Sequence, residues 1–356
     1  MLRLRPIPAL TALVIALGLL VAEGGASLRG SAVPLPRVVG QSIMSGFPGR
    51  EPPPDFLARI KRGEIGGVIL FGENLGTADE IRAMVAKLQA SARAGGNPPL
   101  LIAVDQEGGP VRRFPFGPPE ESAAAMGRRD AAHVRQEGVR AGNYLAGFGV
   151  DVDLAPVADV PSSAQSFLGS RAFGRSPSRV APLVASFAAG LQQAHIAATL
   201  KHFPGLGTAG ANTDLARVVI RTKRAELERR LLPFRRGILA GARLVMVSNA
   251  SYPALDASGR PALFSHAIVT DLLRKRLGFT GVVITDGMEA PTPAAFPGAP
   301  AAAIEAGVDV LLYTSEAGSR RGFEQLLAAA RAKRALRSDL QAAYARIAAL
   351  RRRLGG

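Results

Sequence analysis

Eight short apolar or β-branched runs, alternating with longer Ala/Leu/Arg stretches of helical period, constrain this chain more than any other feature. The runs are Val38 to Phe47, Gly66 to Phe71, Pro99 to Asp105, Asp151 to Val157, Ala197 to Phe203, Arg243 to Asn249, Gly281 to Asp286 and Asp309 to Thr314. Helices are expected over Thr77 to Ala94, Ala131 to Gly147, Ser178 to Ala194, Ala225 to Ala242, Ser265 to Leu277 and Gly322 to Leu354, where the apolar pattern has helical period. Ser265 reads as an N-cap and Gly278 as a stop. No break in composition marks a domain boundary, so the alternation predicts an α/β chain forming a single (β/α)8 TIM-type barrel over 38–356. An open doubly wound sheet is the alternative. No Gly-x-Gly-x-x-Gly opens a helix after the first run, which counts against a dinucleotide-binding version of it.

A barrel places its active site at the C-terminal ends of the strands, and there the polar residues gather. Glu73 and Asn74 follow the second run, Asp105 ends the third, Asp159 lies beyond the fourth, Lys201 and His202 end the fifth, Asn249 the sixth and Asp286 the seventh. Asp151 and Asp153, at the start of the fourth run, are expected at the opposite mouth. Lys201-His202-Phe203-Pro204-Gly205-Leu206-Gly207 sets a cation and an imidazole at a strand end. The loop that follows, with Gly205, Gly207 and Gly210, has the freedom to move over a ligand. A lone His there would read as a core histidine. Two further clusters, Asp105-Gln106-Glu107-Gly108-Gly109 and Ile284-Thr285-Asp286-Gly287-Met288, follow apolar runs in the same way, and one shared site accounts for all three.

Composition narrows the function. A chain of 356 residues, 47% of them hydrophobic, can bury a large core. The absence of Cys removes disulfides, thiolate metal sites and cysteine nucleophiles. The net charge of +16 is carried mostly by Arg at helix-like spacings, with only 5% aromatic residues and no Trp, which favours solvated helix faces over a nucleic-acid surface. Association with anionic cell-wall polymers is compatible with that charge. Arg3 and Arg5, an apolar segment from Pro8 to Ala22, and small residues up to Ala26 have signal-peptide architecture. Residues 1–26 are thus expected to be a signal peptide or N-terminal anchor of an exported protein, and 27–37 a linker with Pro34 and Pro36.

The strand-end motifs resemble the β-N-acetylglucosaminidase branch of glycoside hydrolase family 3. The matching runs are Gly66-Gly67-Val68-Ile69-Leu70-Phe71, Val104 to Gly109 with Val111 and Arg113, Ala155-Pro156-Val157-Ala158-Asp159-Val160, Gly169-Ser170-Arg171-Ala172-Phe173, Lys201 to Gly205, and Val283-Ile284-Thr285-Asp286. Their order covers the chain from Val38 to its end. The resemblance implies a retaining glycosidase without cofactor or metal that acts on terminal β-linked N-acetylglucosamine, with peptidoglycan fragments a candidate source. It makes Asp286 the nucleophile and Asp105, Arg113, Arg171, Lys201 and His202 the residues that hold sugar hydroxyls. Glu107 and Asp159 would brace them.

The chain departs from the family where the proton donor belongs. The loop after the fifth strand usually ends in Asp-Ser-His, whose His is the general acid/base; here Asn212-Thr213-Asp214 stand there, and Leu206 replaces another usual His. The four His residues, at 133, 195, 202 and 266, leave none for that role. Asp214 is then the candidate acid/base, brought beside Asp286 when the Gly-rich loop closes. A protein that binds glycans without turning them over is the alternative, although such a protein has no need of Asp286. β-Glucosidase specificity and glycosyl transfer are alternatives within the enzyme class. A metal-dependent barrel hydrolase would need His and carboxylate ligands at several strand ends, and only His202 sits at one.

Overall fold

Each apolar run becomes a strand inside its expected bounds in the computed structural model, which describes residues 33–355. The strands are β1 (Ile43–Ser45), β2 (Gly67–Leu70), β3 (Leu101–Val104), β4 (Val152–Asp153), β5 (Ala197–Phe203), β6 (Leu244–Val247), β7 (Val282–Thr285) and β8 (Leu311–Tyr313). All neighbours are parallel, in the order β8-β1-β2-β3-β4-β5-β6-β7. The ring closes where Val310 bridges Ile284 and the Thr285 amide donates to the Val310 carbonyl at 2.9 Å. The expected (β/α)8 barrel is therefore the fold.

Period-two alternation sorts the strand residues into two cores. Met44, Ile69, Leu101, Ala103, Val152, Leu154, Leu244, Met246, Val282 and Ile284 fill the barrel axis. Ile43, Val68, Ile102, Val104, Val245, Val247 and Val283 face outward and pack under the helices. Ser265 caps its helix through an Oγ that accepts from the Ile268 amide at 3.1 Å, and Gly278 stops it at φ 70°. The turns between, Ala267–Arg276, are wound as a π-helix.

Three expectations about helices need correction. Leu35–Gln41 is a helix, whereas the sequence reading gave its first half to the linker and its second to the first strand. Pro34 and Pro36 are compatible with a helix start, Val38 and Val39 are buried, and a side chain at Gly40 would meet the Gly63 carbonyl at 1.9 Å. The stretch expected as one helix over 225–242 is two, Arg224–Arg230 and Leu232–Leu239, because Pro233 suits the first turn of a new helix. The last long helix is also two, Glu316–Ala332 and Arg334–Leu354, parted at Lys333 in extended conformation. Arg337 satisfies the carbonyls exposed by that break, reaching Ala330 O at 2.8 Å and Arg331 O at 3.1 Å.

Helix Arg334–Leu354 closes the N-terminal mouth of the barrel. Ile347 and Leu350 join the axial core, and buried Arg351 donates to Pro99 O at 2.7 Å and Gly66 O at 2.9 Å, just before β3 and β2. Burial lowers the Arg351 pKa to about 10, against the raising influence of Tyr344 and Asp151. Truncating this side chain removes both bonds, although the Gly66 carbonyl keeps the Leu101 amide as a donor. Arg351→Ala should lower unfolding stability by roughly 1–3 kcal/mol in urea melts while leaving ligand affinity at the far mouth within twofold, and an unchanged melt would contradict the plug.

Candidate active site

The C-terminal mouth is open, and its cavity of ≈ 220 Å³ is lined by residues from seven strands and the loops that follow them, with Ile69, Leu154, Met246 and Leu312 as an apolar floor. Above that floor stand Asp105, Arg113, Arg171, Lys201, His202, Asp214 and Asp286. All seven candidates named from the sequence thus line one cavity.

Lys201 is the centre of the charged wall. Its ammonium, almost wholly buried, lies 2.7 Å from Asp105 Oδ1 and 2.6 Å from Glu107 Oε1. Glu107 in turn takes a bidentate pair from Arg171, with Nε and Nη2 each at 2.8 Å, the planar match that a guanidinium offers a carboxylate. Burial alone would raise the Glu107 pKa; Lys201 and Arg171 outweigh it and hold the carboxyl at about 2. Asp105 reaches the second guanidinium, Arg113, at 3.6 Å, and Arg113 lies over the Phe71 ring at 5.9 Å. The chain Arg113–Asp105–Lys201–Glu107–Arg171 therefore joins loops after β3 and β4 to β5.

The opposite wall is aimed by Asp159. Its Oδ2 is 2.7 Å from His202 Nδ1, and its Oδ1 accepts from the Leu206 amide at 2.7 Å. One buried carboxylate thus orients the imidazole and pins the base of the Gly-rich loop. Tyr252 adds a second anchor, donating to Gly205 O at 3.1 Å, and a side chain at Gly207 would meet Val160 O at 1.8 Å. Residues 204–207 are buried, so the freedom expected of this loop is confined to the segment beyond them.

Asp286 extends from β7, with its Oδ1 accepting from the Gly287 amide at 2.8 Å. Burial raises its pKa above the ordinary carboxylate value; His202 opposes that, Asp214 adds to it, and the Gly287 amide and Lys201 oppose it again. Asp214 is exposed on its loop, where its amide donates to Asn212 Oδ1 at 3.0 Å. The two acids line the same cavity.

Several contributors escaped the sequence reading. Gln106–Gly108 and Val111–Arg112 form a small antiparallel hairpin at the end of β3 that carries Arg113 to the cavity rim. Asp153 was expected at the opposite mouth with Asp151. Only Asp151 lies there, accepting from the Ile102 amide at 2.8 Å. Asp153 instead accepts from the Gln106 amide at 2.9 Å, beneath the site, and its Oδ2 has no protein partner among the described residues. Burial pushes its pKa well up, against the Gln106 amide and Lys201, with Asp105 and Glu107 adding to the rise. Asn249 donates to Gly287 O at 3.1 Å, steadying the peptide that holds Asp286. Asn74 is a loop clamp, bonding Phe47 O and the Phe71 amide, and Glu73 lies outside the cavity lining. Among the described residues no group of three or more His, Cys, Asp or Glu side chains is placed to hold a metal ion.

The profile of the glycosyl hydrolase family 3 N terminal domain matches residues 42–350. The chain belongs to glycosyl hydrolase family 3. Its relatives within this family of glycosidases include an uncharacterized secreted glycosyl hydrolase of Arthroderma benhamiae, 34% identical over 340 residues that cover 91% of this chain and 95% of that protein. A beta-hexosaminidase of Nitrosomonas eutropha is 39% identical over 63% of this chain and 65% of its own length. Among solved structures, a family 3 beta-N-acetylglucosaminidase from Paenibacillus sp. superposes with a TM-score of 0.85 at 32% identity, covering 91% of this chain but 63% of that one. A beta-N-acetylhexosaminidase from Beutenbergia cavernae gives 0.82 at 34% identity, with 89% and 98% covered.

The family 3 site makes a pH prediction. Glu107 has a folded pKa near 2 against an ordinary 4.5, so the stability it contributes is complete above about pH 4.5 and is lost as pH falls through 2. Over that interval the unfolding free energy of the parent protein should fall by about 3 kcal/mol more than that of Glu107→Gln, as read from urea melts at a series of pH values. Parallel pH profiles would show that Glu107 is not held ionised by its partners.

Proposed function

We propose that this family 3 glycosidase removes terminal β-linked N-acetylglucosamine by a two-step retaining mechanism, as an exported protein acting on cell-wall or similar glycans. The observation that carries this reading is that Asp286 and Asp214 line one small cavity together with the charged or polar side chains of Asp105, Arg113, Arg171, Lys201 and His202. The names of the beta-hexosaminidase and beta-N-acetylglucosaminidase relatives support the choice of sugar, and the secreted relative supports export.

In the first step the Asp286 carboxylate attacks the anomeric carbon, forming an ester as the glycosidic C–O bond breaks and Asp214 gives its proton to the leaving oxygen. In the second, Asp214 takes a proton from water, whose oxygen displaces Asp286 and releases the sugar. Asp105, Arg113, Arg171, Lys201 and His202 hold the ring. The Gly287 amide occupies Oδ1 of Asp286, which leaves Oδ2 as the attacking atom. Lys201, already paired with two carboxylates, serves as a fixed donor to a sugar hydroxyl.

Release of nitrophenol from the aryl β-N-acetylglucosaminide should be lost on Asp286→Asn by at least about a thousandfold. Asp214→Ala should lose most activity on alkyl or sugar glycosides and keep it on activated aryl glycosides, whose leaving groups need no proton. Equal losses on both classes would remove Asp214 from the acid/base role. Folded protein that turns over neither the acetamido sugar nor the aryl β-glucoside would favour the binding-only alternative, which the missing loop His motivates.

A further inference from the structure

The site cavity, at ≈ 220 Å³, is below the roughly 300–1,000 Å³ usual for a ligand pocket, and a glycan has more than one sugar to place. A second cavity, of ≈ 460 Å³, adjoins it. Thr314, just beyond β8, lines both. Its methyl group lies 3.9 Å from where a Cβ on Gly287 would stand, so the boundary between the cavities is beside the residue that follows Asp286.

The walls of this second cavity are tied down on both sides. Glu73 lines it from the short turn Gly72–Asn74 after β2. Asn74 joins that turn to the segment after β1, donating to Phe47 O at 3.0 Å and Gly49 O at 2.6 Å. On the β8 side the Glu289 carboxylate accepts from the Thr314 amide at 2.9 Å, the Ser315 amide at 3.0 Å and the Ser315 hydroxyl at 2.8 Å. The charges lining the cavity do not balance. Its one cation, Arg320, is shared between Glu316 at 2.9 Å and Asp55, whereas Glu73, which is exposed, has no ion-pair partner among the described residues.

We propose that this second cavity receives the sugar on the reducing side of the bond that is cut, and that Glu73 makes it select an amine-bearing sugar against a carboxylate-bearing one. The inference rests on the reading of Asp286 as the nucleophile, which puts the anomeric carbon next to Gly287 and so next to Thr314. A terminal sugar held by its hydroxyls at the ends of β3, β4 and β5, with its anomeric carbon at Asp286 beyond β7, turns its reducing end toward β8, the neighbour of β7 in the ring. The following sugar then passes Thr314 into the cavity at the ends of β8, β1 and β2. There an ammonium group meets an uncompensated carboxylate, and a sugar carboxylate meets a like charge. The substrate class this favours is a partly deacetylated chitin-type chain over one whose leaving sugar is muramic acid.

Two disaccharides test this with the full chain at low ionic strength: N-acetylglucosamine β-1,4-linked to glucosamine, and the same sugar β-1,4-linked to N-acetylmuramic acid. The quantity read is the ratio of their kcat/KM values, amine over acid, from released N-acetylglucosamine. Glu73→Gln should lower that ratio by roughly fivefold, since it removes an attraction for one substrate and a repulsion for the other, and Glu73→Lys by more than about tenfold. Both effects should fade at roughly 1 M salt. Glu324→Lys, exposed on helix Glu316–Ala332 and outside the cavity lining, should leave the ratio within about twofold. A ratio unmoved by Glu73→Lys, or moved as far by Glu324→Lys, would overturn the subsite while leaving the glycosidase reading intact. Turnover of the aryl β-N-acetylglucosaminide with neither disaccharide cleaved would do the same. Turnover of no substrate at all would overturn both.

Discussion

A buried ammonium with two carboxylates on it holds this site together. Lys201 is nearly inaccessible to water, and an isolated charge there would be strongly unfavourable. Asp105 and Glu107 make it tolerable, and because Glu107 also takes Arg171 and Asp105 approaches Arg113, the whole charged wall balances as a unit. The geometry of the cavity-facing groups follows from that balance. Arg171 comes from an irregular loop after β4 and Arg113 from a hairpin edge, neither rigid alone, yet each is tied to a carboxylate near β3. The wall is preorganised by ion pairing more than by secondary structure.

Much of this was legible from the chain. The eight apolar runs placed every strand of the barrel, because a strand buried on both faces needs a continuous apolar run and few other segments supply one. The strand-end polar residues then followed from the barrel's polarity. What escaped were features decided by tertiary contact. Nothing local marks the break at Lys333, which lies between strong helix formers and depends on Arg337 reaching back to the freed carbonyls. Pro34 and Pro36 looked like linker residues, but Pro is equally at home in the first turn of a helix, and only the burial of Val38 and Val39 chooses between the two. Asp153 was assigned to the wrong mouth since β4 is only two residues long, so the two-residue step from Asp151 to Asp153 carries the carboxyl from the Ile102 amide in β3 to the Gln106 amide just beyond it. The hairpin that carries Arg113 had no turn signature beyond Gly108-Gly109.

The site divides into a fixed part and an adaptable one. Asp286, Lys201 and His202 stand on or just beyond strands, and their partners are buried or half-buried. Asp214 stands at the far end of a loop whose base is locked by Asp159, Tyr252 and the close approach of Gly207 to Val160. The resemblance puts the family's usual acid/base His on this same loop, and the proposed function gives that place to Asp214. On that reading a carboxyl in place of an imidazole would change which pH range supplies a proton, while Asp286 keeps its setting just beyond β7.

The plug at the other mouth bears on how the chain reaches this structure. Arg351 bonds a carbonyl 285 residues earlier in the sequence, so one of the longest loops the chain can close is completed by its last helix. During synthesis the early strands must wait, with the apolar axis open to water, until that helix has left the ribosome. Folding is then governed by a late, long-range closure, the slow class of event in which exposed strand edges are most vulnerable to association with other chains.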